Sequence, residues 1–220
     1  MVLTRRSLLG VALPLMGAES RSLFDGASTK GWRAVGDGEF PSRSWSVDDG
    51  CLKALVSKPA FQDIRTVDVF EDFELEFEWK ITPNGNSGVK YLIYREDVWK
   101  PAGSNEFHAR GRGFEYQIAD GTSARQDLEA AGGVYEFQAP SRLNARAAGE
   151  FNEARIVRRG AAIEHWLNGV RVVELRLDTP EILERMRSRK VPTELPQRTP
   201  IVLQNHGFEA WFRRLNIRSL

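Results

Sequence analysis

Four short segments of this 220-residue chain carry side chains able to bind and to move protons on what reads as one face of a sheet. In the run Gly113, Phe114, Glu115, Tyr116, Gln117, Ile118, Ala119, apolar residues alternate with Glu115 and Gln117. That is the period of a strand with one face in a core. Gly113 and Ala119 add little side chain, so the carboxylate and the amide stand on an open floor. The same rule sends Leu75, Phe77 and Trp79 inward and Glu76 and Glu78 outward. It sets Val89, Tyr91 and Ile93 against Gly88, Lys90 and Leu92, and Ile201, Leu203 and Asn205 against Val202, Gln204 and His206. If the four strands share a sheet, its outer face carries Glu78, Lys90, Glu115, Gln117, Gln204 and His206. An imidazole, an ammonium, two carboxylates and two amides suit binding and proton transfer on a polyhydroxy substrate. For one strand alone, a solvated outer face is the plain alternative.

The elements that must position these groups are mostly strands. Residues 73–81 alternate apolar and charged without an error. A turn cluster at 83–88 precedes a strand over 89–93. Strands over 151–158 and 161–167 flank Arg159 and Gly160, and Asn168-Gly169 is a type I′ hairpin signal before a return over 170–177. Segments 200–204 and 210–217 read as a closing pair. One helix is expected over about 180–190, with Thr179 as its cap and Pro180 at its first position. Segments 95–112 and 120–133 read as long loops, where function tends to sit. Many short antiparallel strands with no internal linker predict one all-β domain over 21–220, a two-sheet jelly-roll sandwich with one short helix.

Other chemistry-bearing residues read as structural. Cys51, in an apolar run, is expected to be a buried inert thiol. His165 lies between Ile163 and Leu167 and reads as a packed histidine. His108 sits among polar residues beside Arg110 and Arg112 and is expected to be exposed. The sequence has no HExxH, CxxC or EF-hand pattern, so no dedicated metal site is expected, although a Glu/His pair could still hold a divalent cation. It also lacks the serine-hydrolase elbow, the P-loop and the dinucleotide fingerprint.

The first twenty residues read as an address. Arg5 and Arg6 precede Leu8, Leu9 and a short apolar run to Met16, and Ala18, Glu19, Ser20 supply small residues for cleavage. The arginine pair with Leu-Leu close behind fits a twin-arginine export signal, an ordinary Sec signal with a coincidental arginine pair being the alternative, and either places the mature domain in the periplasm or outside the cell. The run is too short to span a bilayer. Removing residues 1–20 takes away Arg5, Arg6 and Glu19, leaving 29 basic and 29 acidic side chains. Such a balance offers no domain-wide field for nucleic acid. The cluster of Arg185, Arg187, Arg189 and Lys190, mixed with Glu181 and Glu184, reads as a solvated helix face.

Several blocks in order carry a resemblance. Leu23-Phe24-Asp25-Gly26 with Gly31-Trp32, Asn86-Ser87-Gly88-Val89-Lys90-Tyr91, Gly113 to Ile118, His165-Trp166-Leu167-Asn168-Gly169, and Leu203-Gln204-Asn205-His206-Gly207 resemble the 3-keto-disaccharide hydrolase domain family. The resemblance runs over nearly the whole chain after residue 20. It implies a concanavalin-like jelly roll and cleavage of glycosides whose sugar is oxidised to a ketone at C3. One block departs: where relatives carry a His-Pro-Asp-Ala-like stretch, this chain has Gly121-Thr122-Ser123-Ala124 and Arg125-Gln126-Asp127. A C3 ketone acidifies the hydrogen on C2, so a base can form an enolate that expels the C1 substituent, and water then adds. On that implication His206 or Glu115 would be the base, Lys90 the oxyanion partner, and Glu78 a second acid or orienting group. Gln117, Gln204 and Asn86 would read hydroxyls. Direct hydrolysis by two carboxylates is the other route. A non-catalytic carbohydrate-binding module and a cell-envelope interaction domain are the other classes that the fold admits.

Overall fold

The computed structural model describes residues 19–220 apart from 57–60, 101–106 and 121–126. Nearly all of the expected export segment and six of the seven residues of the departing block, 121–126, therefore lie outside the described residues.

Thirteen strands and one helix follow one another. The first five strands are short: β1 (Arg21–Ser22), β2 (Trp32–Ala34), β3 (Trp45–Asp48), β4 (Cys51–Ala54) and β5 (Ile64–Thr66). Three long ones follow, β6 (Phe73–Ile81), β7 (Asn86–Trp99) and β8 (His108–Ala119). Then come β9 (Asn152–Arg159), β10 (Ala162–Leu167), β11 (Val170–Arg176), helix α1 (Pro180–Ser188), β12 (Val202–Leu203) and β13 (Ala210–Ser219). They form two sheets. The larger runs β11-β10-β9-β6-β13-β4-β3, with β1 paired to β13; the smaller runs β2-β5-β12-β7-β8. The all-β jelly-roll sandwich expected from strand periodicity is what the chain adopts.

The two sheets face each other across an aromatic core. Leu75, Phe77 and Trp79 enter it from β6, and Tyr91, Phe114, Tyr116 and Ile118 from the smaller sheet. Phe77 meets Tyr116 edge-on at 5.5 Å between ring centroids, and Phe73 meets Tyr91 likewise at 6.2 Å. Each such side chain contributes roughly 1.5–3 kcal/mol by leaving water. His165 is fully buried among them, within hydrogen-bond reach of the Tyr91 hydroxyl at 2.8 Å and the Gly132 carbonyl at 3.0 Å. Burial lowers its pKa to about 4, so it is a neutral core histidine, as its apolar neighbours in sequence suggest. Cys51 is buried and free, and burial raises its pKa.

Strand β6 and the hairpin at Asn168-Gly169 match the sequence reading; both turn residues have positive φ, 47° and 79°, as a type I′ turn requires. Helix α1 starts where Thr179 caps it, accepting from the Ile182 backbone N–H, and ends at Ser188.

Three expectations are corrected. Residues 95–112 are not one long loop: β7 and β8 continue as a hairpin, pairing Arg95 with Arg112 and Trp99 with His108. Charged side chains hide this extension from a period-2 reading, because Asp97 bonds both Arg95 and Arg112 across it. Segments β12 and β13 are not a pair: β12 lies between β5 and β7 in the smaller sheet, and β13 between β6 and β4 in the larger. Finally, Leu92 has φ 51° at a register shift in the β7–β8 pairing, so the alternation skips a step. Leu92 joins Tyr91 in the main core, while Ile93 turns to a small second cluster with Val35, Ala109 and Val202.

Candidate active site

The outer face of the smaller sheet holds a groove of about 500 Å³ along β7 and β8. Asn86, Lys90, Glu115, Gln117, Gln204 and His206 all line it. Six of the seven side chains singled out from the sequence are thus brought together. Register explains why: Lys90 stands opposite Glu115 on β8 and opposite Val202 on β12, which delivers Gln204 and His206 just beyond its end.

Glu78 is the exception. Strand β6 belongs to the larger sheet, and Glu78 faces away from the groove into a separate depression with Arg155, Trp166 and Arg214. Arg214 has φ 51° at a bulge in β13. Two consecutive arginines therefore reach the same carboxylate, Arg213 Nε at 2.7 Å and Arg214 Nη1 at 2.6 Å. Glu78 is a paired structural carboxylate, and its expected place beside the other polar residues does not hold.

At the centre of the groove floor lies an acid–cation–acid row. Lys90 Nζ is 3.1 Å from Asp63 Oδ2 and 3.8 Å from Glu115 Oε2. Asp63, fully buried, also accepts from the backbone N–H groups of Asn205 and Gly111 at 3.1 and 3.3 Å. It ties β12's exit, β8 and Lys90 together. Alternation could not find Asp63, because it lies before β5 with no patterned neighbours; its signal is only its position beside Ile64. The Lys90 ammonium fills the cation place beside Glu115. Among the described residues no cluster of three or more His, Cys, Asp or Glu side chains could hold a metal.

Glu115 is packed tightly. A Cβ added at Gly88 would lie 2.2 Å from Glu115 Oε1, so the absence of a side chain at Gly88 is what lets the carboxyl lie back over β7. Burial raises the Glu115 pKa from 4.5 to about 7; nearby Lys90 opposes this and Asp63 adds to it. His206, half-buried, moves the other way: burial lowers its pKa, and the charges of Arg110 and Lys90 lower it further. Near neutral pH the groove thus holds a neutral imidazole and a carboxyl that is protonated about half the time. Burial moves the two pKa values past each other, so the carboxyl keeps its proton at a pH where the imidazole has lost its own, which suits an acid–base pair.

The amides complete the floor. Gln117 Nε2 donates to Asn86 Oδ1 at 3.4 Å, while Gln117 Oε1 and Gln204 Oε1 are buried with no partner among the described residues. Buried acceptors left open in a groove are ready for hydroxyl donors. Segment 132–135 seals the edge of β8 above them: Gln117 N–H donates to Gly133 O, and Tyr135 N–H to Glu115 O.

Two surface readings change. His108 is buried, its ring stacked on Trp99 at 5.1 Å and edge-on to Phe61 at 5.4 Å, because the hairpin extension sets Trp99 opposite it. The basic cluster at the end of α1 is only partly a solvated face: Arg187 pairs with Glu184, but Arg189 and Lys190 line the groove.

A two-sheet jelly roll with a polar acid–base groove on one outer face places the protein among the concanavalin-like sandwiches. A glucanase of Bacillus licheniformis shares that fold, with a TM-score of 0.51 at 12% identity over 93% of this chain and 98% of that one. Residues 19–218 match the 3-keto-alpha-glucoside-1,2-lyase-like domain, and the chain belongs to that family. The 3-keto-disaccharide hydrolase of Bacteroides thetaiotaomicron is 26% identical over 230 residues, covering 90% of this chain and 78% of that protein. A candidate glycosyl hydrolase of Parabacteroides distasonis has the same fold, with a TM-score of 0.74 at 24% identity over 91% of this chain and 94% of that one.

Proposed function

We propose that the protein is an enzyme that cleaves 3-keto-glycosides by elimination and hydration, in the groove floored by Glu115, Lys90 and His206. The observation that carries the reading is the pairing of a raised Glu115 pKa with a lowered His206 pKa around a fixed ammonium. Family membership and the name of the Bacteroides relative support the substrate class.

The chemistry follows from the protonation states. Neutral His206 removes the C2 proton. The electron pair moves toward the C3 carbonyl, whose oxygen gains negative charge beside the Lys90 ammonium. Asp63 holds that ammonium in place from behind. The enolate then re-forms the ketone, a C1–C2 double bond forms and the C1–O bond breaks. Protonated Glu115 gives its proton to the leaving oxygen, so the aglycone departs as a neutral alcohol. Water adds to C1 of the enone, Glu115 takes a proton from it, and the imidazolium of His206 returns one to C2. The products are the aglycone and the free 3-keto sugar, and both catalysts end as they began. Gln117, Gln204 and Asn86 orient the ring hydroxyls.

The test is incubation with an aryl 3-keto-glucoside and its unoxidised parent, with and without added divalent metal. Cleavage of the keto compound alone, with solvent deuterium entering C2, is the expected result. Equal cleavage of the unoxidised glucoside would replace the mechanism by direct hydrolysis. Sugar binding with no cleavage under either metal condition would make the domain a binding module.

A further inference from the structure

The groove carries more positive charge than this chemistry uses. Lys90, Arg95, Arg110, Arg112, Arg189 and Lys190 line it, against the carboxylates of Glu115 and Glu136. Most of these cations are committed. Lys90 rests on Asp63, Arg95 and Arg112 share Asp97 at 2.7 Å each, and Arg189 pairs with Glu136. Arg110 and Lys190 have no carboxylate partner among the described residues.

Arg110 is the informative one. It is half-buried, and its Nε is cut off from solvent without a hydrogen-bond partner. Its guanidinium lies 6.0 Å from the Trp99 ring centroid, on the hairpin extension. Its charge acts on both Glu115 and His206, so it stands near the reacting groups. A neutral sugar needs hydroxyl partners, which the amides supply, and an enolate needs one cation, which Lys90 supplies. Keeping a second guanidinium partly desolvated and unpaired beside them is unfavourable unless a ligand completes it. The planar fork of arginine fits the flat or tetrahedral oxygens of carboxylate and sulfate.

We propose that the substrate carries a carboxylate or sulfate next to the scissile bond and that Arg110 binds it, with Arg95, Arg112 and Lys190 supplying an attractive rim. The identity of the sugar rests on the 3-keto-glycoside reading; the anion site is argued from the groove alone. The anion would be borne either by the sugar ring, as in a uronic acid, or by the leaving group.

Binding tests this without turnover. Methyl glucuronide and a carboxyphenyl glucoside are each titrated against their neutral counterparts by calorimetry, at low and at physiological salt. At least one charged compound is expected to bind tenfold or more tightly than its neutral partner. Which one does so locates the charge on the ring or on the leaving group. The advantage should shrink with salt, fall to near one in Arg110→Gln, and return in part in Arg110→Lys. The matched 3-keto substrates should show the same preference in kcat/KM. Equal binding of charged and neutral compounds at low salt would overturn the proposal, and so would an undiminished preference in Arg110→Gln. Loss of kcat on a neutral substrate with the binding preference intact would instead assign Arg110 to the reacting sugar and overturn it as well. Failure to cleave any 3-keto-glycoside would remove the functional reading, while the binding ratio still decides the anion site.

Discussion

Replacing Glu115 with Gln separates two consequences of its burial, one in stability and one in rate. Its pKa rises from 4.5 to about 7 on folding, chiefly through desolvation. The side chain is only 11% exposed, so solvent screening removes little of that effect. The shift corresponds to about 3 kcal/mol. The sign follows from proton linkage. Below pH 4.5 the carboxyl is neutral in both states and carries no penalty. Between pH 4.5 and about 7 the unfolded chain ionises while the native one does not, and stability falls. Above that window the whole penalty is present. The amide of the variant never ionises, so Glu115→Gln should match the wild type near pH 4 and exceed it by up to about 3 kcal/mol at pH 8. For a domain of this size that is roughly 6–12 °C in Tm. His165 titrates alike in both proteins and cancels from the difference. The same variant should lose about a hundredfold or more in turnover, the scale of a positioned acid. Thermal denaturation of both proteins from pH 4 to 8 is the assay. A Tm difference that stays flat across that range would refute the buried, raised carboxyl and the acid role built on it.

The remaining predictions concern the partners of Glu115 and the export segment. His206→Ala should lower turnover by about a hundredfold or more while leaving the fold intact, and deuterium at C2 of the substrate should slow the wild type. The pH profile of kcat/KM should fall on the acid side as His206 protonates below 6.5 and on the alkaline side near 7 as Glu115 ionises; a rate that climbs through pH 7 would rule out Glu115 as the required acid. Asp63→Ala leaves Lys90 buried without its anchor and should cost roughly 3–5 kcal/mol in denaturant unfolding. Gly88→Ala drives a methyl group into the Glu115 carboxyl and should reduce kcat with little change in Tm if the side chain swings outward, which a crystal structure of the variant would display. Residues 1–30 fused to a reporter should reach the periplasm, and Arg5→Lys with Arg6→Lys should abolish it if the route is twin-arginine.

Alternation by itself determined a good deal here. Side chains on a strand must point to opposite faces, so the runs around Glu115, Lys90 and Gln204 declared their cores and their open faces before any pairing was known. The turn at Asn168-Gly169 and the cap at Thr179 were equally legible, because positive φ and an unpaired N–H are local demands. Period 2 cannot say which sheet a strand joins. Glu78 alternates as well as Glu115 does, yet β6 lies across the sandwich and a bulge in β13 commits its carboxylate to two arginines. The same limit hid the separation of β12 from β13, since neighbours in sequence are free to join different sheets. A bulge at Leu92 moved Ile93 to another cluster, and nothing in the sequence pattern announces one extra residue in a ladder. Asp63 and Arg110 matter through distant partners: the one meets Lys90, Asn205 and Gly111, the other Trp99, Glu115 and His206. The pKa values on which the proposed chemistry rests belong to the tertiary structure alone, because desolvation and the distance between charges exist only once the two sheets have closed.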